Sequence, residues 1–432
     1  MGVNSHASRS FALRRLGEMF CGIENFRRAR VSYSMKKNNS IKVPTGFLFS
    51  AVEAAVKKPG RKDLGLIFSE CGAAVAGMFT TNRIKAAPVR LDMQRVRRGL
   101  GRAVIVNSGN ANACTGPKGM RDARDMADSA ANTLGVKPTD VFVCSTGVIG
   151  TPMPMQRILA AVPGLILGLP EGSIGDVAAA IMTTDTFPKL AAREVTLGGK
   201  TVTISGVCKG AGMISPTMAT MLCFLMTDAR VDHMTLKAAL ADAVAHSFNR
   251  ISIDGDMSTN DTALILANGM AGNRAVAAGS RDYRVFSNAL SEVADELATM
   301  IVKDGEGATK LVTVEVINAR NEREALKGAR AIADSLLVKT ALYGNDANWG
   351  RLMAALGYAG ILIREERVDI SINGVAVAKS GVATGRDREA NEALKAKEVR
   401  LVADLHLGKG RSMVLTCDLT EDYVKINAEY RT

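Results

Sequence analysis

Lys209-Gly210-Ala211-Gly212-Met213-Ile214-Ser215-Pro216-Thr217-Met218-Ala219-Thr220-Met221-Leu222 is the least ordinary stretch of this 432-residue chain. Two glycines and a proline shape its first half. Glycine takes backbone angles closed to other residues, and proline fixes φ and removes an N–H donor, so an irregular, tight approach is predicted here. The chain then enters Thr220 to Met226, an uncharged run of strand-forming residues. A hydroxyl at the mouth of such a strand is well held and shielded from water. Thr220 Oγ is therefore placed to add to the Ala219 carbonyl, and hydrolysis of the resulting ester would leave a new chain starting at Thr220. Its α-amine, with an ordinary pKa of about 7.7–8.0, would serve as general base for the hydroxyl of the same residue. Pattern alone leaves the alternative open: Thr220 as one more strand threonine, and the Met-rich run as core.

Outward from this stretch, strand-type and helical segments alternate from Ile41 onward. Arg102 to Asn107 reads as a buried strand running into the Gly/Asn-rich loop Ser108 to Gly116. A helix is expected near Met120 to Leu134, with apolar residues at spacings of three and four, stopped by Gly135. Val141 to Cys144 is a strand emptying into Ser145-Thr146-Gly147, and a helix over Ile174 to Thr183 leads into Thr184-Asp185-Thr186. Glu194 to Val207 reads as a hairpin turned at Gly198-Gly199. Further helices are expected over Leu236 to Phe248 and Tyr283 to Val302, and strand patterning resumes at Lys310 to Ile317. This alternation predicts an α/β protein, with a domain boundary near residues 303–310.

Composition narrows the function. Hydrophobic residues are 47% and charged residues 23%, the profile of an ordinary globular protein with large cores. No apolar run reaches the roughly 18 residues of a membrane span. The formal charge is +12, but residues 1–38 hold six Arg and two Lys against Glu18 and Glu24. Half the excess thus sits in the N-terminal segment. Aromatics are 4%, too few to furnish the stacking platforms of a nucleic-acid groove. A modest positive field suits small anionic substrates. Seven scattered cysteines (21, 71, 114, 144, 208, 223 and 417) contain no CxxC pair, which fits reduced thiols in a cytosol. The four histidines (6, 233, 246 and 406) sit in no HExxH, and there is neither a GxSxG elbow nor a Walker A loop. Gly305-Glu306-Gly307 follows a helix, so it does not read as a dinucleotide loop.

KGAGMISPTMATML closely resembles the processing site of the ornithine acetyltransferase family, also called bifunctional glutamate N-acetyltransferase/amino-acid acetyltransferase. Further blocks carry the resemblance: Phe79-Thr80-Thr81-Asn82, Asn107 to Gly116 (NSGNANACTG), Ser145 to Gly150 (STGVIG), Thr183-Thr184-Asp185-Thr186, Ser252 to Asp256 (SIDGD), Gly344 to Arg351 (GNDANWGR) and Ile426 to Thr432 (INAEYRT). They cover about residues 40–432. The resemblance implies cleavage between Ala219 and Thr220, with Thr220 as nucleophile and new N-terminus. Thr146 and Gly147 are implied as the oxyanion hole, and Thr183, Lys209, Thr220, Glu306, Asn427 and Thr432 as substrate contacts. Charge suggests that Lys209 and nearby hydroxyls hold an α-carboxylate while Glu306 takes a cationic group. The resemblance departs at Thr217, where the family most often has Asn, and at the N-terminal 34 residues.

The implied reaction is ping-pong: acetyl passes from N-acetylornithine to Thr220 and then to glutamate, recycling the acetyl group in arginine biosynthesis. No metal or bound cofactor is implied, and acetyl-CoA is a co-substrate in some relatives. The implied fold is an α/β (α+β) layered helix/sheet sandwich of the self-processing ornithine acetyltransferase/aminopeptidase type, with a smaller C-terminal α/β domain. Residues 1–34 read as an extension, 35–305 as the main domain containing the cleavage site, and 306–432 as a C-terminal domain whose last strand returns to the site. Mature chains 1–219 and 220–432 would pair as a heterotetramer, two of each, with no nucleic-acid or membrane partner. The expected location is cytoplasmic, with an organellar transit peptide over residues 1–34 as the alternative. Two rival readings stay open: a self-processing amidase or aminopeptidase with water as acceptor, and an uncut metabolite-binding protein.

Overall fold

A computed structural model of the chain describes residues 41–215 and 221–429. Its first sheet comprises β1 (Phe47–Val52), β2 (Leu64–Phe79), β3 (Leu100–Asn107), β4 (Val141–Ser145), β5 (Lys189–Leu197), β6 (Lys200–Lys209), β7 (Leu222–Thr227) and β8 (Thr262–Ala267). The spatial order is β4-β3-β2-β8-β7-β6-β5, with β1 paired to β2. The long strand β2 shifts register between Phe68 and Ala73, so its first part pairs with β1 and its second with β8. β3–β4 and β7–β8 are parallel pairs in an otherwise antiparallel sheet. The second sheet holds β9 (Leu311–Ala319), β10 (Asp369–Ile372), β11 (Val375–Lys379), β12 (Val382–Ala383), β13 (Glu398–Asp404) and β14 (Gly410–Cys417). Its order is β12-β11-β10-β13-β9-β14. Two sheets layered with helices give the α/β architecture that the alternating sequence predicts.

Burial explains the strand composition. Every residue of β7 and β8 is buried, which requires an uncharged run because both faces of the strand are covered. Cys223 and Leu225 of β7 join Ala263 and Ile265 of β8 in the core under the helices His233–His246 and Arg281–Lys303. The second helix starts where Ser280 Oγ accepts the Tyr283 N–H at 3.0 Å, with Asp282 in its first turn and Lys303 in its last. Both charges oppose the helix dipole favourably. Phe286, Leu290, Val293, Leu297 and Ile301 form its buried stripe. Leu297 meets β6 where Gly206 has no side chain; a Cβ there would lie 2.7 Å from Leu297 Cδ1.

The β5–β6 hairpin closes through Leu197 opposite Lys200, with Gly198 at φ 53° and Gly199 at φ 78°. Two successive positive φ values are what a two-residue turn between twisted strands demands. The helix expected near Met120 begins earlier, at Gly116, because Pro117 suits a first turn, where its missing N–H is no loss. Asn427 and Ala428, expected to open the terminal strand Asn427–Thr432, are helical and close the C-terminal helix Glu421–Ala428, while residues 430–432 lie outside the described residues. That helix has Glu421 and Asp422 in its first turn and Lys425 in its last. These charges favour the helix at both ends. Among the described residues no helix is long and apolar enough to cross a membrane.

Leu297→Ala should lower the unfolding free energy by about 2–5 kcal/mol, through lost burial and the cavity left against Gly206. Urea denaturation followed by far-UV circular dichroism measures it, with Met234→Ala, at an exposed site, expected to change little.

Candidate active site

The site is built where strand ends meet. Lys209 at the end of β6 sits opposite Leu222 at the start of β7, which in turn sits beside Thr262 at the start of β8. On the other side of the sheet centre, Asn107 and Ser145 end β3 and β4 side by side. Loops leaving these ends enclose a cavity of about 240 Å³. Its wall includes Thr146, Gly147, Thr183, Lys209, Glu306 and Asn427, so six of the residues singled out in the sequence share one cleft. Ala219, Thr220 and Thr432, and the divergent Thr217, lie outside the described residues.

The Thr146-Gly147 turn is held by its neighbours. Ser145 Oγ donates to Asn107 Oδ1 at 2.6 Å, and Asn107 Nδ2 donates to the Asn110 carbonyl at 2.9 Å. Thr146 N–H donates to the Asn107 carbonyl at 3.0 Å, so the donor it has left is its hydroxyl. Gly147 lies at φ 133°, and a Cβ there would fall 2.3 Å from the Gly109 carbonyl carbon. Only glycine fits between the two loops. Asn260 Nδ2 locks the same region, donating to the carbonyls of Ala111 and Ser145 at 2.6 and 2.7 Å.

Opposite this turn stand two charge poles. Lys209, 3% exposed, donates from Nζ to Thr183 Oγ1 at 2.8 Å and lies 3.5 Å from Thr146 Oγ1. Burial pushes its pKa down, against the pull of Asp185 and, more weakly, Glu306. Glu306 forms the acidic pole, its Oε2 accepting from Asn427 Nδ2 at 2.7 Å and its N–H donating to the Ala211 carbonyl at 2.8 Å. Gly212 leaves the space the carboxyl group occupies, since a Cβ would lie 2.4 Å from the Glu306 carboxyl carbon and displace it. Asn427 reaches the cleft from the C-terminal helix rather than from a strand. The following turn is fixed by Asp254, which accepts the N–H groups of Met213 and Ile214 at 2.6 and 2.9 Å. A ligand bearing both a carboxylate and a cationic group matches the two poles, and an oxygen gaining negative charge matches the donors of the turn.

Beneath Lys209 lies a buried ion network that the sequence did not single out. Lys189, fully buried, donates to Asp185 Oδ1 at 2.7 Å and to Asp304 Oδ2. Asp185 also accepts from Gly210 N–H at 2.7 Å and Thr183 N–H at 3.0 Å. Burial disfavours the charge on Asp185, but Lys209, Lys189 and these donors together outweigh it and hold its pKa at about 2. The Asp185/Lys189 spacing of four residues was visible; that Lys189 opens β5 with its ammonium buried between two carboxylates was not. Asn260 offered no local signal at all.

The profile of the ArgJ family matches residues 48–432. The arginine biosynthesis bifunctional protein ArgJ of Geobacter sulfurreducens is 55% identical over 389 residues, 90% of this chain and 99% of that one. The protein of the same name from Caldanaerobacter subterraneus subsp. tengcongensis is 48% identical over 400 residues, 91% of this chain and 99% of that one. A solved structure of the arginine biosynthesis bifunctional protein from Bacillus halodurans is 45% identical, covering 48% of this chain and 98% of its own, with a TM-score of 0.47. The chain belongs to the ArgJ family of arginine-biosynthesis enzymes.

The depressed pKa of Asp185 gives a signed expectation. A carboxylate stabilised in the fold contributes fully above its unfolded value of about 3.9 and loses that contribution as pH falls through the folded value. The stability difference between the wild type and Asp185→Asn should therefore shrink by about 2–3 kcal/mol as pH falls from about 5 toward 1. Urea titrations at a series of acidic pH values read this directly.

Proposed function

We propose that this ArgJ-family enzyme cleaves itself between Ala219 and Thr220 and then transfers acetyl from N-acetylornithine to glutamate through an ester on Thr220. The supporting observation is the pairing, across one small cleft, of a Lys209–Thr183 cationic pole and a Glu306–Asn427 acidic pole. Both belong to the wall that contains the Thr146-Gly147 turn. A zwitterionic amino acid is the substrate class such a cleft orients, its carboxylate toward Lys209 and its cationic group toward Glu306.

The chemistry follows from those positions. Thr220 Oγ attacks the acetyl carbonyl while the α-amine of the same residue takes the hydroxyl proton. Negative charge moves onto the carbonyl oxygen, facing Thr146 Oγ1 and the Gly147 N–H. Each such donor contributes about 3–4 kcal/mol to the transition state. The C–N bond breaks as the α-ammonium returns its proton to the departing nitrogen, and ornithine leaves. Glutamate then attacks the ester with its own amine, the Thr220 α-amine accepts the proton released and hands it to Oγ as the C–O bond breaks, and N-acetylglutamate departs with the free enzyme restored. The amide's acyl group passes on through an ester, so this route uses no metal or bound cofactor, with acetyl-CoA as an alternative donor. We place the enzyme in the cytoplasm as two copies each of fragments 1–219 and 220–432.

Thr220→Ala should remain a single chain on denaturing electrophoresis and show no transfer, whereas the wild type yields a fragment beginning Thr-Met-Leu-Cys. A cut Thr220→Ala chain would overturn self-attack. With saturating glutamate, acetylglutamate should form far faster than acetylornithine is hydrolysed; dominant hydrolysis makes the enzyme an amidase instead. Thr146→Ala should lower kcat about 10²–10³-fold with a much smaller change in KM, because its hydroxyl serves the transition state.

A further inference from the structure

Asp254, in the block Ser252 to Asp256, stands behind the cleft wall and joins two parts of it. Its carboxylate accepts four donors. Three are the backbone N–H groups of Met213, Ile214 and Asp256, at 2.6, 2.9 and 3.1 Å. The fourth is the Tyr423 hydroxyl of the C-terminal helix, at 3.2 Å. The loop that carries Asp254 is itself tied down: Ile253 N–H donates to the Ile214 carbonyl and Ser252 N–H to the Leu415 carbonyl, each at 2.9 Å. Both partners need such a hold. Met213 lies at φ 56°, in the left-handed region where a Cβ crowds the following carbonyl oxygen. A turn of that kind persists only when its surroundings fix it. Its preceding residue is Gly212, which leaves the Glu306 carboxyl its space. The helix Glu421–Ala428 has no buried residue among its eight, so apolar burial does not seat it. Polar pins do: Thr420 Oγ1 donates to the Gly307 carbonyl at 2.7 Å, Tyr423 reaches Asp254, and Asn427 Nδ2 donates to Glu306 Oε2 at 2.7 Å.

Resting on the transferase reading of the cleft above, we propose that Asp254 is the positioning residue of the acidic pole. By holding the Met213 turn and Tyr423 at once, it fixes the Glu306 carboxylate between Gly212 and Asn427. It thereby sets how strongly the cleft prefers an acetyl donor with a cationic side chain. Asp254 acts through Glu306 and meets no substrate itself. Without its carboxylate the turn relaxes out of the left-handed region and the helix loses a pin. Glu306 then keeps its charge but not its aim, and a contact that depends on charge and direction together weakens. Contacts made elsewhere in the cleft, to the carboxylate and acetyl group of the donor, are untouched. The expected signature is therefore selective, falling on the cation of the donor alone.

The test measures acetyl transfer to glutamate, reading KM for N-acetylornithine and the inhibition constant of N-acetylnorvaline, which is the same molecule without the terminal ammonium. Asp254→Ala should raise KM for N-acetylornithine about tenfold and shift the N-acetylnorvaline constant less than about twofold. Adding Met213→Gly to Asp254→Ala should regain about threefold, because glycine takes the left-handed turn without a Cβ clash. A purely structural role would weaken both ligands together and gain nothing from that glycine. Equal losses on the two ligands, an unchanged KM, or no gain from Met213→Gly overturns the proposal and leaves the transferase reading standing. A wild type without transfer activity overturns both. Should Asp254→Ala yield no active enzyme, Tyr423→Phe decides, since it removes one pin and leaves the Met213 turn bonded to Asp254. It should raise KM for N-acetylornithine about threefold with the N-acetylnorvaline constant unmoved. In that case an unchanged ratio of the two constants overturns the proposal.

Discussion

The ammonium of Lys189 sits between the carboxylates of Asp185 and Asp304 with no exposure to solvent. Three ions taken out of water carry a desolvation cost that only close pairing and further hydrogen bonds offset. Here the extra bonds come from the backbone: Gly210 and Thr183 N–H donate to Asp185, and Thr186 N–H donates to Asp304. Each donor belongs to a segment that must pass the cleft. The network thereby ties the turn after β6, the segment leading from Thr183 into β5 and the end of the helix Arg281–Lys303 to one point. Glu306 follows Asp304 by two residues, so fixing Asp304 also fixes how the acidic pole faces Lys209.

Such a foundation has an electrostatic consequence. Lys209 is buried among hydroxyls and lies 4.0 Å from Asp185, at the rim of the same network. Its own desolvation pulls its pKa down, so the Asp185 carboxylate is what keeps a cation there. A cation held this way is already desolvated and oriented, so little reorganisation would remain for an anion that met it.

Much of this frame was legible in the sequence, for a physical reason. Strand runs, helical stripes and the Gly198-Gly199 turn are set by near neighbours, and the structure places them within a few residues of expectation. The cleft was legible differently. Thr146, Gly147, Thr183, Lys209, Glu306 and Asn427 came from resemblance, and no local pattern separates them from solvated charges or turn residues. Lys189, Asp304 and Asn260 were not legible, because their roles come from partners that only the fold brings near; Lys189 and Asp304 stand 115 positions apart. Asn427 and Ala428 are helical and not extended, because Glu421 and Asp422 gathered at a helix start and Lys425 near its end favour a helix there.

Three glycines show how far the backbone itself has been shaped to the cleft. Gly147 leaves room for the Gly109 loop, Gly212 leaves room for the Glu306 carboxylate, and Gly210, at φ 159°, presents its N–H to Asp185. A side chain at the first or second position would collide with backbone or with a carboxyl group at under 2.5 Å. Glycine in such places costs conformational entropy on folding. The strands fully covered on both faces, β7 and β8, contribute apolar burial that offsets it. Close approach of loops and poles is thus possible only because the sheet beneath them is rigid, which is why functional side chains gather at its strand ends and not along the strands.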